Sequence, residues 1–309
     1  MIGFVFMENP KKILLTGGTG LIGNALTNAL VQKGYIVHVL SRKKRTNEKG
    51  KFFFQWDIKQ GIAEADAFKG IDTFIHLAGE SIAEGKWTDK KKKRIISSRV
   101  DSAHLAFEYF KKNGDFPKKI ISASGVGYYG ALTNDSIFEE TDKPQNNDFA
   151  SRVCELWEEG INPFINHSTV SWFRIGVVLS EKGGALPVIT KPIKMFVGAP
   201  LGSGQQYMPW IHIDDLINLF VFGVENNLEG VYNAVTDEHI TNQSLTKAIA
   251  KQIKRPVLPI NVPKFILQLM LGEQAEIILK GSRVSNEKVK GAGFKFMYKQ
   301  LDKALSDLL

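Results

Sequence analysis

The chain has 309 residues, of which 43% are apolar and 23% are charged; this is the composition of a globular protein and excludes a fibrous or disordered one. The length suits one large α/β domain, or such a domain together with a second, smaller domain of the same chain. The net charge of +8 favours acidic or phosphorylated small molecules as ligands. It favours nucleic acid less, because much of the charge is concentrated in the run KWTDKKKKRIISSR at 86–99, which is typical of a solvated helix face.

A single cysteine, Cys154, excludes an intramolecular disulfide and a cysteine metal cluster. The apolar start MIGFVF is too short for a signal peptide, and either Met1 or Met7 is a candidate start. No apolar run approaches the length of a membrane span. We therefore expect a cytoplasmic protein with no membrane partner, no nucleic acid and no bound metal, while its oligomeric state is left open.

Strand-like and helix-like stretches alternate through the first half of the chain, which is typical of βαβ units and a parallel sheet. In chain order the predicted elements are strand 11–16, helix 21–34, strands 35–41, 51–57 and 71–79, a long helix ending near Gly114, strand 118–124, helix 150–164 and strand 169–180.

From Glu181 the composition shifts to Gly and Pro, which predicts loops and short helices over the carboxyl edge of the sheet. A helix capped by Asp214 and a strand at 230–235 follow. The chain from Thr241 onward is predicted to be mostly helical, with breaks at its prolines.

The segment TGGTGLIG, residues 16–23, lies between a predicted strand and an amphipathic helix. Gly17, Gly20 and Gly23 there allow the backbone to approach a pyrophosphate, whose charge meets the free N–H groups at the helix start. With the βαβ rhythm around it, the turn predicts a dinucleotide cofactor bound by these glycines and by the intervening residues Thr19, Leu21 and Ile22.

The second strand ends in VLSRKKR, where an NAD-binding protein would carry a carboxylate for the ribose 2′-hydroxyl. Ser41 and Arg42 are instead suited to hydrogen-bond and pair with a 2′-phosphate. The cofactor predicted here is therefore NADP(H), although an arginine that only solvates a loop is the alternative for Arg42.

The motifs TGGTGLIG, HLAGESI, SASGVGYYG and WIHIDDL, in this order, resemble those of the extended short-chain dehydrogenase/reductase, or NAD-dependent epimerase/dehydratase, superfamily. The tail GSRVSNEKVKGAGFKF is similar to the branch called epimerase family proteins, which carries a C-terminal domain of unknown function. The resemblance implies an α/β fold: a Rossmann-type doubly wound parallel sheet, residues 8–180 with 208–236 returning to it, and a smaller, mainly helical substrate lobe made of 181–207 and 237–309.

The resemblance also implies further cofactor contacts after the later strands. Arg99 replaces the asparagine of the superfamily's NV-containing helix and is expected to reach the phosphates or the adenine, with a solvated arginine as the alternative. Val178 is expected beside the nicotinamide. The remaining residues that match cofactor-binding positions are Leu77, Ala78, Gly79, Glu80 and Arg174.

The superfamily's oxidoreductases use a Tyr-x-x-x-Lys pair, in which the ammonium lowers the pKa of the phenol. At the matching positions this chain has Phe149 and Val153, and none of its tyrosines has a lysine four residues on. Ser124 is then the candidate that orients a substrate, and Tyr128 or a water is the candidate proton donor, whereas Tyr129 is expected to fill core.

The sequence thus predicts an atypical NADP(H)-binding enzyme that carries out redox or epimerase-like chemistry on a small, phosphate- or nucleotide-bearing substrate. Gln206 and Trp210 are the candidate substrate contacts, and His212 is expected to help start its helix. The alternative is a non-catalytic NADP(H) sensor or regulatory protein that kept the fold after losing the dyad.

Overall fold

The computed structural model describes residues 10–309, so the candidate starts Met1 and Met7 lie outside the described residues. Its main feature is an eight-stranded sheet. The strands of this sheet are β1 (Lys12–Thr16), β2 (Ile36–Ser41), β3 (Lys51–Asp57), β4 (Ile62–Ala63), β5 (Thr73–His76), β6 (Lys119–Gly125), β8 (Thr169–Ile175) and β11 (Gly230–Ala234). Two small sheets pair β7 (Ile137–Phe138) with β12 (Arg283–Val284), and β9 (Val177–Leu179) with β10 (Trp210–His212).

The order across the main sheet is β11-β8-β6-β5-β1-β2-β3-β4, and every pair is parallel except β3 with β4. The chain therefore runs outward from β1 in one direction and, from β5, in the other, which is the doubly wound topology that the sequence predicted. Thr16 at the end of β1 pairs with Leu40 of β2 on one side and with His76 of β5 on the other. The order of strands reverses between β1 and β5, and ligands of such sheets bind in the crevice outside that point.

Helices cover both faces of the sheet, as parallel strands require. The helices are α1 (Leu21–Gln32), α2 (Asp89–Asn113), α3 (Phe149–Glu159), α4 (Ala185–Lys194), α5 (Ile213–Glu225), α6 (Asn242–Gln252), α7 (Lys264–Leu271), α8 (Glu276–Leu279), α9 (Glu287–Gly291) and α10 (Leu301–Leu308). One apolar core joins the sheet to α1, α5, α6 and α10, and a second joins the opposite face to α2. Helices α6 and α10 of the predicted smaller lobe thus share a core with the sheet.

The predicted strand 169–180 is divided at Gly176 into β8 and β9. A Cβ at Gly176 would lie 2.6 Å from the carbonyl oxygen of Pro209, so only glycine lets the two segments cross this closely. After Gly176 the chain leaves the main sheet and pairs with β10.

The helix expected to be capped by Asp214 begins at Ile213, and its cap is His212. The His212 Nδ1 accepts a 3.1 Å hydrogen bond from the Asp214 backbone N–H, so the prediction that Asp214 is the cap is wrong and the prediction for His212 is confirmed.

In the part of the chain that the structure describes, no helix combines the length and the apolar character needed to cross a bilayer.

Candidate functional site

The glycine turn after β1 is packed against the end of β5. Gly17 has a φ of +70°, and a Cβ on it would lie 2.7 Å from the Leu77 carbonyl oxygen. A Cβ on Gly23 would lie 2.2 Å from the Gly17 carbonyl oxygen, so the helix could not start this close to the turn with any other residue. Both predicted glycines are therefore required by the fold itself.

Gly20 differs from these two glycines because it is exposed and the nearest protein atom to its Cβ position is 3.4 Å away. It is the N-cap of α1 and no side chain caps the helix there. The backbone N–H groups of the first turn, at Leu21 and Ile22, consequently lack a side-chain acceptor, and Thr19 is exposed beside them. Such a helix start favours a phosphate, and its geometry fits the predicted pyrophosphate.

Buried hydrogen bonds fix this turn to the next strand of the crevice. Thr16 Oγ1 accepts the N–H groups of Leu77 and Ala78 at 3.1 Å each and contacts His76 Nδ1 at 2.9 Å. His76 Nε2 lies 3.1 Å from the Arg99 carbonyl oxygen, which assigns the ring proton to Nε2. Burial lowers the pKa of His76 to about 4, so the ring is neutral and serves as a rigid link between β1, β5 and α2.

The predicted 2′-phosphate site lies at the end of β2. Ser41 is buried and its hydroxyl donates to the Lys43 carbonyl oxygen at 2.8 Å, which bends the chain directly after the strand. Arg42 is exposed. Because Thr16 pairs with Leu40, Ser41 at the end of β2 and Arg42 after it lie at the same edge of the sheet where the glycine turn follows β1.

The loop after β5 rests on α2. The Glu80 N–H donates to Ser98 Oγ at 2.8 Å, and Arg99 donates to the Glu80 carbonyl oxygen at 3.1 Å. The guanidinium carbon of Arg99 would lie 2.8 Å from a Cβ on Gly79. Arg99 is buried and lies under the loop, over the Trp157 ring at 4.4 Å, and burial lowers its pKa to about 10. Its described contacts support the loop that was expected to hold the cofactor.

The carboxylate of Glu80 is bound by the basic run of α2. It pairs with Lys91 at 2.7 Å and with Arg94 at 2.9 Å. Burial would raise the pKa of Glu80, but the hydrogen bonds of these two cations lower it below its ordinary value. Glu80 matches a cofactor-binding position, but its side chain forms ion pairs with α2. These ion pairs also neutralise part of the basic run at 86–99.

Ser124 and Arg174 belong to a buried ion-pair cluster. Arg174 is 3% exposed and makes a bidentate contact with Glu158 of α3 at 2.9 and 3.0 Å. Burial alone would lower the pKa of Arg174, but Glu158 raises it. Ser124, 2% exposed, donates its hydroxyl to the same carboxylate at 2.8 Å. The Ser124 oxygen can then only accept a hydrogen bond from another partner. No pattern in the sequence indicated that Glu158 belongs to this cluster.

The two adjacent tyrosines have different surroundings. Tyr129 is fully buried, donates to Asn233 Oδ1 at 2.7 Å and accepts from Arg174 at 3.1 Å, and burial raises its pKa to about 12. Tyr128 is half-buried with the Arg174 guanidinium 3.3 Å from its ring centre. It lines a cavity of about 250 Å³ together with Glu155, Glu158, Glu159, Asn162, Trp172 and Val231. None of these residues belongs to the predicted cofactor set.

At the two positions that the resemblance matches to the superfamily's dyad, α3 carries Phe149 and Val153. Phe149 is the first residue of α3; it packs against Trp87, with ring centres 4.7 Å apart, and the Lys92 ammonium lies 5.1 Å from its ring centre. Val153 is buried.

Val178 of β9 is half-buried and close to the glycine turn. A Cβ on Gly184 would lie 3.4 Å from Leu21 and 3.5 Å from the Val178 carbonyl oxygen. The start of α1 and the strand β9 thus come close together at Gly184, and the contact of Val178 with a nicotinamide stays a prediction.

The two candidate substrate contacts, Gln206 and Trp210, are buried and hydrogen-bonded to the protein backbone. Gln206 is 1% exposed and its amide donates to the carbonyl oxygens of Leu201 and Ile278, at 3.0 and 2.9 Å. Trp210 is also 1% exposed and donates to the Glu238 carbonyl oxygen at 3.1 Å. The structure gives both side chains a packing role in place of the expected substrate contact.

One group of side chains in the described residues has the composition of a metal site. Ligand atoms of His212, Asp214 and Asp307 lie within 4.8 Å of one another. The His212 Nδ1 accepts the Asp214 N–H, so the proton of the neutral ring is on Nε2, the nitrogen that faces Asp307 at 3.3 Å. A protonated nitrogen is not a metal ligand, and the group acts as a helix cap.

The topology and the glycine turn define a class, the dinucleotide-binding proteins built on a doubly wound sheet. The model of the NAD dependent epimerase/dehydratase family matches residues 13–155, and that of a domain of unknown function, DUF1731, matches residues 262–308. The chain is 37% identical over 301 residues to the epimerase family protein YfhF of Bacillus subtilis, covering 96% of this chain and 97% of that protein. The chain belongs to the epimerase family proteins of the NAD-dependent epimerase/dehydratase family.

Two solved structures are similar to the whole chain. The human epimerase family protein SDR39U1 (isoform 2), solved with NADPH, has a TM-score of 0.86 at 28% identity, covering 96% of this chain and 98% of that one. The UDP-glucose 4-epimerase of Thermus thermophilus, solved with NAD, has a TM-score of 0.77 at 19% identity, with 96% of both chains covered. The predicted fold and family are confirmed.

Proposed function

We propose that this protein binds NADP(H) in the crevice between β1 and β5 and carries out redox or epimerase-like chemistry on a small, phosphate- or nucleotide-bearing molecule. The observation that carries the proposal is the open helix start at Gly20, together with the exposed cation Arg42 at the end of the neighbouring strand. The NADPH in the structure of human SDR39U1 supports it.

The end of β2 favours NADP(H) over NAD(H) in this proposal. The fold does not decide between the two cofactors, because similar structures hold NADPH in one case and NAD in another. Ser41 and Arg42 support NADP(H), because a carboxylate after β2 would repel a 2′-phosphate, whereas a guanidinium attracts one.

The chain's own residues have distinct tasks in this proposal. The turn Gly17–Gly23 binds the pyrophosphate, the loop Leu77–Glu80 lies along the cofactor with Arg99 supporting it, and Val178 contacts the nicotinamide. When bound, the cofactor supplies hydride transfer at its nicotinamide C4. Ser124, whose hydroxyl is oriented by Glu158, is left to accept a hydrogen bond from a substrate, and Tyr128 or a water supplies the proton.

The test is a fluorescence titration with NADPH and with NADH. We expect NADPH to bind at least about tenfold more tightly, equivalent to about 1.4 kcal/mol, and Arg42→Asp to remove that preference. Arg45→Asp is the matched control with the same charge change, since the Arg45 guanidinium lies over the Phe53 ring at 5.7 Å. Equal affinities of the unmodified protein for the two cofactors would refute the assignment.

A second candidate function is a non-catalytic NADP(H) sensor or regulatory protein. The observation that favours it is that Phe149, which packs against Trp87 and lies near the Lys92 ammonium, occupies the position that the resemblance matches to the superfamily's catalytic tyrosine. The two functions are separated by turnover: a panel of aldehydes, ketones, alcohols and nucleotide sugars that leaves NADPH absorbance and substrate stereochemistry unchanged, despite tight cofactor binding, favours the sensor.

A further inference from the structure

Exposed apolar side chains are concentrated on one part of the surface, around the end of α4 and the chain after α6. Val188 and Ile260 are 71% and 75% exposed. We define the apolar face as Val188, Met195, Phe196, Val197, Leu258 and Ile260, all of which are exposed.

The apolar face is continuous in the fold. The Leu258 N–H donates to the Gly198 carbonyl oxygen at 2.8 Å, so the chain at 258–260 runs beside that at 195–198. On α4, Leu186, Thr190 and Ile193 are buried, which turns Val188 and Met195, seven residues apart, to the outer side of the helix. The next helix along the chain, α7, adds three exposed apolar residues, Phe265, Leu269 and Met270.

Phe196 combines an exposed ring with an unusual backbone conformation. Its φ is +63°, a conformation that bulky residues rarely adopt. The Arg255 guanidinium lies 4.8 Å from its ring centre, so an exposed cation and an exposed aromatic ring are presented together.

The two chain segments that carry the apolar face have charges of one sign. The two segments that carry it, 182–213 and 239–272, contain no Asp or Glu, while they contain three and five Lys or Arg. Lys191, Lys194, Lys254 and Arg255 are exposed, and no carboxylate among residues 10–309 forms an ion pair with any of the four. Lys251, which pairs with Asp302 at 3.5 Å, marks the edge of this region.

We propose that the apolar face docks on the surface of an anionic lipid bilayer. Apolar side chains surrounded by cations bind at the boundary between headgroups and acyl chains. A second copy of the chain fits less well, because an interface between two identical patches would bring cations against cations. Our expectation of no membrane partner rested on the lack of a spanning segment, and a surface contact needs none.

The test is sedimentation of the protein with vesicles of phosphatidylcholine alone and of phosphatidylcholine with about 30% phosphatidylglycerol. We expect partition only onto the anionic vesicles, weakened by salt. Each cation at such a surface contributes on the order of fivefold, so Lys191→Glu with Lys194→Glu lowers partition at least about 25-fold. Met195→Ser with Val197→Ser lowers it about tenfold or more without changing the charge.

The matched charge control is Lys90→Glu with Lys93→Glu, two exposed lysines of α2, which changes net charge equally and is expected to leave partition within about threefold of the parent. The matched apolar control is Ile62→Ser with Ile165→Ser, two exposed residues elsewhere. Circular dichroism melts of all four variants establish that each is folded.

Three results would overturn the proposal. The first is no partition of the parent onto anionic vesicles, and the second is an equal loss for Lys90→Glu with Lys93→Glu, which would indicate attraction by net charge alone. The third is evidence that a protein occupies the apolar face instead of a membrane. This would be self-association of the parent in analytical ultracentrifugation that Met195→Ser with Val197→Ser abolishes, or binding of an acidic protein through this face without any vesicle binding.

Discussion

Gly20→Val is the sharpest test of the cofactor crevice, because the protein itself leaves room for the new side chain. Gly20 has a φ of −80°, which any residue adopts, and its Cβ position is 3.4 Å from the nearest atom. The free energy of unfolding should therefore change by no more than about 1 kcal/mol. The valine side chain would occupy the space over the first turn of α1, where the pyrophosphate is proposed to bind.

The expected size of the effect follows from linkage. NADPH at a hundredfold excess over its dissociation constant adds about 2.7 kcal/mol to the stability of a protein that binds it only when folded. For a chain of this size the Tm should rise by about 4 °C. A melt followed by circular dichroism, with and without NADPH, should show this rise in the parent and no rise in Gly20→Val.

Gly291→Val is the matched control. Gly291 lies in α9, and no atom lies within 4 Å of its Cβ position, so the same substitution there should leave the NADPH-dependent rise intact. If Gly20→Val is folded and still shows the full rise, the glycine turn does not bind the pyrophosphate and the placement of the cofactor is wrong.

The remaining predictions concern four side chains, Glu158, His76, Tyr129 and Tyr128. Glu158→Gln leaves the buried Arg174 without its counter-ion and should lower the free energy of unfolding in urea by about 3 kcal/mol or more; a loss below about 1 kcal/mol would show that the cluster is solvated. The pKa of His76 falls from its ordinary 6.5 to about 4 on folding, so the unfolded chain binds the extra proton and stability should fall by about 3 kcal/mol as pH drops from 6.5 to 4. His76→Asn should flatten this part of the pH profile, and an unchanged profile would contradict the assignment. Tyr129→Phe should lower the free energy of unfolding by about 1 to 3 kcal/mol, because the hydrogen bonds of its hydroxyl are lost. Tyr128→Phe should leave stability unchanged and lower any NADPH-dependent turnover about a hundredfold or more. Normal turnover in Tyr128→Phe would assign the proton to another group.

The doubly wound sheet was predictable because its signals are local. Apolar strands, amphipathic helices and the turn TGGTGLIG each show their character within a few residues. The predicted strands from 11–16 to 118–124 all appear in the main sheet. The division of 169–180 at Gly176 was not predictable, since it depends on the approach of Pro209, 33 positions away in the sequence.

The candidate site residues likewise differ in whether their surroundings depend on residues far away in the sequence. Gly20 and Arg42 are exposed, and their cofactor roles stay predictions; they were chosen because a glycine-rich helix start and a basic strand end have a chemistry that does not depend on distant partners. The side chains of Glu80, Gln206 and Trp210 were assigned to ligands by position, but the structure commits them to protein groups elsewhere. A polar side chain's task depends on which acceptors and charges folding brings to it.

The sequence by itself determined the alternation of strands and helices in the first half of the chain, the glycine turn between β1 and α1, and the fact that no tyrosine has a lysine four residues on, because periodicity and short spacings encode them. Only the tertiary structure decided that Glu158 of α3 joins Ser124 and Arg174 of two adjacent strands, and that two segments without acidic residues meet in one apolar face. These contacts join residues that are far apart along the chain, and no local pattern specifies a partner that only the packing of helices against the sheet brings within hydrogen-bonding distance.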